Sequence, residues 1–333
     1  MKIFVTGIAG FIGSHLADAL ANQGHQVRGI DNLAGGDLEN VSPDILWRNG
    51  DCQTLSWLPS TDVVIHCAAL AHEGLSLFSP KLITENVYGA SVAVFSAAIR
   101  SGVKRIVFLS SMARYGMGVP PFKEDDRCRP VDPYGIAKLA AEQTLRCLCE
   151  AHGVEYVIAV PHSIYGPRQK RDDPYRNVLA IWMNQIMNHK APIIYGSGDQ
   201  KRCFSYVDDV IPSLVKLATE PGLSGEVINI GPDEGVVTIN EACRMVSKAF
   251  AGTRFYPQIP MYYPGRPNEV GAAFCSSDKA RRLLGYKTET SLQAGLSRVA
   301  DWMIERGPLP FKYHLPLEII TERTPRTWLE QQI

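Results

Sequence analysis

The sequence predicts an α/β fold, a doubly wound parallel sheet of the Rossmann type followed by a smaller C-terminal lobe. Three observations carry that expectation. Short, wholly apolar, β-branched runs alternate with helical patterns through the first half of the chain. A glycine-spaced turn, "GIAGFIG", follows the first of those runs directly. After Tyr165 the pattern gives way to polar, proline- and arginine-rich stretches.

The elements follow in order. "KIFVT" and "FIGSHLADALANQG" read as strand then helix, "QVRGID" and "DVVIHCAA" as strands, and "NVYGASVAVFSAAIRSG" as a helix. "RIVFLSS", "YGIAKLAAEQTLRCLCEAHG" and "YVIAVP" continue as strand, helix and strand. Apolar strands separated by helices are buried on both faces and pair in parallel. Residues 1–164 are therefore expected to form the main domain, to which 203–231, containing "CFSYVDDVIPSLVKLATE", return. Residues 165–202 and 232–333 are assigned to the smaller lobe and a tail. That tail, "PLPFKYHLPLEIITERTPRTWLEQQI", holds four prolines and no helical period, so it is expected to wrap a surface or meet a partner chain.

Composition narrows the function. With 333 residues and 45% hydrophobic content the chain can bury a large core. Lys plus Arg and Asp plus Glu both number 34, so no global field recruits nucleic acid or an anionic membrane. No apolar run is expected to reach the roughly 18 residues of a membrane span, and the glycine-spaced N-terminus lacks the cleavage pattern of a signal peptide. The eight cysteines form no CxxC pair, which argues against structural zinc and suits reduced thiols in a cytoplasm. No metal site is expected.

Gly7, Gly10 and Gly13 stand where a strand turns into a helix. Such a turn needs glycine because the backbone must approach a pyrophosphate closely, and the helix N-terminus then faces the phosphates. Asp31 follows Gly13 by 18 residues, at the end of "QVRGID", near the spacing at which an acid accepts from both ribose hydroxyls and repels a 2′-phosphate. The cofactor expected is NAD. The alternative for Asp31 is a solvated residue at a strand end; Asp51, in "NGDC", is a candidate for the adenine side or a plain turn residue.

"DPYGIAK" places Tyr134 and Lys138 four apart on one helix face, with Asp132 as N-cap and Pro133 at the first helical position. A phenol serving as base at pH 7 must be favoured as phenolate by about 3 pH units, roughly 4 kcal/mol. The lysine charge, the positive helix end and an oxidised nicotinamide are the sources available. Ser110 and Ser111 end the strand "RIVFL", and Met112 and Ala113 follow where an acid pair could stand.

Taken together, "TGIAGFIGSHL", "DNL", "HCAALA", "ENVYGA", "SSMARYG", "DPYGIAK", "PHSIYGPRQ" and "RCFSYVDDV" span nearly the whole chain. In that order they resemble the extended short-chain dehydrogenase/reductase family, and within it the nucleotide-sugar epimerases and dehydratases. The resemblance implies Tyr134 as base, Lys138 as its partner on the nicotinamide ribose, and Ser111 as the hydroxyl that orients the substrate. It places Phe11, Ile12, Asn32, Cys52, Ala68, Ala69, Ala71, Asn86, Ser110 and Pro161 beside the cofactor. Arg202 and Arg266 take the diphosphate and uridine side, with Met112, Ser163, Tyr195 and Glu269 also facing the substrate. Arg168, Lys170 and Arg171 are read as a solvated surface run. His162 is either a packed strand-end residue or a substrate neighbour, and His66 is structural.

Departures from the family pattern carry information. Dehydratases that eliminate water resemble "STDEVYG"; Met112 and Ala113 stand at the acid positions here and can move no proton. Ser163 replaces the family asparagine before "VYG"-type residues, and Cys203 the aspartate of "RDF". The resemblance therefore implies an NAD-dependent nucleoside-diphosphate-sugar 4-epimerase, an isomerase of polysaccharide biosynthesis acting on a UDP-hexose or its N-acetyl form. The resemblance also implies that the residue seven positions after Arg266, Ala273, lies beside the sugar's C2 substituent; a slip of one position gives Ala272 or Phe274. The alternatives are a UDP-glucuronate epimerase or decarboxylase, a keto-sugar reductase, and a non-catalytic NAD-sensing scaffold. The helices around "ENVYGA" and "PYGIAK" resemble the family's dimer-forming pair, so a homodimer is expected.

Overall fold

The computed structural model describes residues 1–333. Its centre is a seven-stranded sheet in the order β11-β6-β5-β4-β1-β2-β3, every neighbour parallel. The strands are β1 (Lys2–Thr6), β2 (Gln26–Asp31), β3 (Leu46–Asn49), β4 (Val63–His66), β5 (Arg105–Leu109), β6 (Glu155–Pro161) and β11 (Val227–Ile230). β4 and β5 are buried at every residue, which is why they carry no polar alternation. Strand order reverses between β1 and β4, the point at which ligands enter open α/β sheets beyond the strand C-termini.

One face of the sheet packs on α1 (Phe11–Asn22) and α7 (Val207–Thr219), through Leu16, Leu20, Val210 and Leu214. The other packs on α4 (Ala90–Arg100) and α5 (Pro133–His152), through Val94, Phe95, Ala141 and Leu145. The returning segment Val207–Ile230 thus lies in the large lobe. Asp278–Leu284 (α9) does so too: Ala280 and Leu284 join the α1/α7 core, although the sequence reading gave all of 232–333 to the smaller lobe and tail. A β-bridge from Phe122 to Cys275 ties the preceding segment to the large lobe and draws α9 with it.

The smaller lobe has its own core, in which Trp182, Met183 and Ile186 of α6 (Val178–Met187) meet Val246 of α8 (Ile239–Ala249) and Leu296 and Met303 of α10 (Leu292–Arg306). Short strands complete it. β8 (Ile193–Tyr195) pairs with β13 (Met261–Tyr263), and β9 (Lys201–Arg202) lies between β12 (Val237–Thr238) and β14 (Ala272–Ala273). β7 (Ile164–Tyr165) and β10 (Ser205–Tyr206) join the lobes.

Two expectations change. The helical run Pro80–Arg100, comprising α3 (Pro80–Thr84), one π turn and α4, has 21 residues and a mean hydropathy of 1.4, enough by length and composition to cross a membrane. Here it packs through one face on α5 and the sheet, with Val94, Ala97 and Ala98 fully buried. The basic loop is not solvated: Arg168 pairs with Asp18 at 2.7 Å, Arg171 donates to the Gly307 carbonyl at 2.8 Å, and Lys170 reaches toward Asp172.

The proline-rich tail wraps its own chain across both lobes. Glu318 accepts from the amides of Lys81 and Leu82 at 2.9 Å, capping α3, and Ser79 donates to the Pro316 carbonyl at 2.6 Å. On the other side, Thr327 bonds the Tyr195 hydroxyl at 2.5 Å and Gln332 accepts from Tyr263 at 3.0 Å. The short α11 (Arg326–Leu329) inserts Trp328 between Phe78 and Tyr175, edge-to-face with both. Trp328→Ala should remove about 3 kcal/mol of local packing and release this segment, read as faster tryptic cleavage at Arg323 or Arg326 while the buried Lys138 of α5 stays protected.

Candidate active site

A cleft of about 510 Å³ opens at the C-terminal ends of the central strands and runs between the lobes. Its first part is the glycine turn. Gly7 has a φ of 71°, and a Cβ there would lie 2.9 Å from the Ala68 backbone. A Cβ on Gly13 would fall 2.1 Å from the Gly7 carbonyl oxygen, so α1 can approach β1 only through glycine. Phe11 and Ile12 open α1 on the same wall.

Asp31 closes the other side of this part. Its carboxylate accepts from the amides of Ala9 at 3.0 Å and Leu33 at 2.7 Å, and burial raises its pKa against those bonds. Asn32, Asp51 and Cys52 line the wall beside it, Asp51 also capping the following turn through the Gln53 amide at 2.8 Å. Ala68, Ala69, Ala71, Asn86, Ser110 and Pro161 complete the lining. A small-residue cradle, a helix N-terminus and a terminal carboxylate fit a dinucleotide with free ribose hydroxyls.

The candidate catalytic residues lie where this part meets the second. Asp132 caps α5 by accepting from Gly135 N at 2.9 Å, and Pro133 occupies the first turn, which aims Tyr134 into the cleft. Lys138 donates to the Leu109 carbonyl at 2.7 Å, and its Nζ lies 5.9 Å from the centre of the Tyr134 ring. Burial pushes the Lys138 amine down to about 8. Burial also raises the Tyr134 phenol, opposed by a hydrogen bond with Ser111. Burial thus favours the neutral phenol, and positive charge brought into the cleft would favour the phenolate.

Beyond Tyr134 the wall changes to Met112, Ser163, Arg202, Arg266, Glu269 and Tyr195. Arg266 donates to Glu269 at 2.9 Å and 2.7 Å and stacks over Tyr195, its guanidinium carbon 5.0 Å from the ring centre. Arg202 reaches the other oxygen of Glu269 at 3.2 Å. Two planar guanidiniums held by one carboxylate suit a diphosphate and its ribose.

Ala273 does not line the main cleft. It is buried on β14 opposite Arg202 and faces a side pocket of about 60 Å³, bounded also by Glu73, Met112, Ala113, Asp132 and Ser163. His66 is buried between Thr6 at 2.7 Å and Ser91 at 3.0 Å, its pKa lowered to about 3 by desolvation, so it is a neutral structural group. His162 touches the cleft while bonded to the Pro232 carbonyl at 2.9 Å, and burial lowers it to about 4. None of the eight cysteines forms a disulfide, and no group of His, Cys, Asp and Glu is arranged to hold a metal.

Several lining residues escaped the sequence reading. Glu73 stands on the short α2 (Glu73–Ser76), next to Gly74, where a Cβ would meet the Arg266 guanidinium at 2.8 Å. Asn177, with a φ of 65°, caps α6 at the cleft. Trp328 and Ile333 of the tail line its far end. "AHEGLS" carried a weak signal, an acid beside a glycine just after "HCAA"; the tail carried none.

Fold and site together define an NAD-dependent enzyme of the Rossmann α/β class, with Ser111, Tyr134 and Lys138 lining one cleft with the glycine turn and two arginines further along it. Residues 3–231 match the NAD dependent epimerase/dehydratase family, and the chain belongs to it. It is 31% identical over 320 residues to a UDP-glucose 4-epimerase of Mycolicibacterium smegmatis, covering 91% of this chain and 98% of that protein. Thermotoga maritima UDP-glucose 4-epimerase, solved with UDP-glucose, superposes with a TM-score of 0.85 at 31% identity over 92% of this chain and 99% of that one. Bacillus cereus UDP-glucuronic acid 4-epimerase, solved with UDP-glucuronic acid and NAD, gives 0.84 at 29% identity over 92% and 100%.

Proposed function

We propose that the protein inverts C4 of a UDP-hexose or its N-acetyl form through a transient 4-keto sugar. The observation that carries this reading is the convergence of Ser111, Tyr134 and Lys138 on one side of the cleft, with Arg202 and Arg266 beyond. Tyr134 takes the O4 proton as the carbonyl forms and returns it once the ketone is reduced. Ser111 orients that oxygen, and Lys138 holds its charge beside the phenol. When bound, NAD supplies the hydride acceptor and the positive charge that Tyr134 needs. The arginine pair and Glu269 hold the nucleotide while the keto sugar presents its other face.

The neighbours support this reading: one is a UDP-glucose epimerase, the other acts at the same carbon of a uronate. Met112 and Ala113 argue against water elimination, since neither side chain can exchange a proton. Incubation with UDP-glucose and UDP-GlcNAc, without added oxidant, should give the C4 epimer by its anomeric NMR signal. A 4-keto-6-deoxy sugar as a major product, seen by mass spectrometry as loss of water, would overturn the reading.

Assembly belongs to the same proposal. Helices α4 and α5 pack together at one side of the molecule, and Ile136, Arg146 and Cys147 of α5 remain exposed, as a two-fold homodimer contact would use them. A cytoplasmic location follows from the free thiols and the nucleotide-sugar substrate.

A further inference from the structure

Glu73 faces both the main cleft and the side pocket, beside Met112, Ala113, Asp132, Ser163 and Arg202. Its side chain is open to the cleft interior and makes neither a hydrogen bond nor an ion pair. The cations nearest to it are already engaged, Arg202 and Arg266 with Glu269. Around Glu73 the titratable and charged groups are Asp132 and Tyr134 at the start of α5, Glu269 on the loop before β14, and these paired arginines. An unpartnered carboxyl set between Tyr134 and the arginine pair is placed where a sugar between the phenol and a diphosphate would lie.

We propose that Glu73 is a selectivity residue, accepting a hydrogen bond from a hydroxyl or amide of a neutral sugar and excluding sugars that carry a carboxylate. This rests on the nucleotide-sugar reading above. The exclusion is electrostatic: two like charges a few ångströms apart in a protein environment disfavour binding by roughly tenfold or more. It also depends on pH. Although its side chain is accessible to water in the cleft, desolvation by the surrounding cleft walls, with Asp132 and Glu269 nearby, raises the Glu73 pKa to about 7 against the pull of Arg202 and Arg266. Below that value the carboxyl is neutral and a uronate is tolerated; above it the charge returns and so does the exclusion.

The experiment measures Kd for UDP-glucose and UDP-glucuronate by titration calorimetry on the NAD-loaded protein at pH 6 and pH 8. The diphosphate is common to both ligands, so its own effect on Glu73 largely cancels in the ratio. The preference for UDP-glucose should rise severalfold from pH 6 to pH 8 in the wild type. In Glu73→Gln, which keeps the shape and removes the charge, it should be small and flat with pH. Equal affinities in the wild type at pH 8, or an unchanged ratio and pH trend in Glu73→Gln, would overturn the assignment. Because binding is read rather than conversion, a failure here is separable from a failure to epimerise, which the NMR assay reports.

Discussion

Tyr134→Phe should lower kcat by about 10³-fold or more, within the range that one positioned acid–base group supplies. The ring would still fill the same space at the start of α5 and Asp132 would still cap the helix, so the fold and the glycine cradle should survive. What disappears is the hydroxyl to which the proposed mechanism assigns the O4 proton. NAD content, measured after denaturing the purified variant, should match that of the wild type. Activity within about tenfold of wild type would remove Tyr134 from its role as base.

Lys138→Met should have the next largest effect, a fall in kcat of about 10²-fold. The variant keeps the unbranched side chain but loses the charge beside Tyr134 and the hydrogen bond to the Leu109 carbonyl. A buried carbonyl left without its donor costs about 1–3 kcal/mol, so thermal stability should fall as well. The pH profile separates the charge from the packing. Because burial lowers the Lys138 amine to about 8, the lysine is charged below that pH and neutral above it. The wild type should therefore lose activity on an alkaline limb near pH 8, and Lys138→Met should have none. An unchanged alkaline limb in the variant would assign that titration to another group.

The parts of the site legible in the sequence are those fixed by local spacing. Gly7, Gly10 and Gly13 belong to one turn, Tyr134 and Lys138 to one helix face, and Asp31 to the end of one strand, so short-range geometry leaves them few alternatives. Glu73 was illegible for the opposite reason. An acid at the N-terminus of a short helix usually complements the helix dipole in solvent, and only the folded chain sets it against Met112 and Ala113. The basic loop misled in the same way, because the partners of Arg168 and Arg171 lie at Asp18 and Gly307, far off in sequence. For the tail, its prolines indicated a wrapping segment and nothing indicated where it would land.

The tail has a thermodynamic consequence. Glu318 and Ser79 fasten it to the large lobe, Thr327 and Gln332 to the smaller one, and Trp328 lies at the end of the cleft between them. Two lobes laced in this way have already lost much of their relative freedom during folding, before any ligand arrives. Binding then orders less chain than in an enzyme that must close around its substrate, so the entropic penalty of association is smaller. On the nucleotide-sugar reading the cleft is a preformed mould, and discrimination between sugars would come from walls and side chains already in place rather than from the energetics of closure.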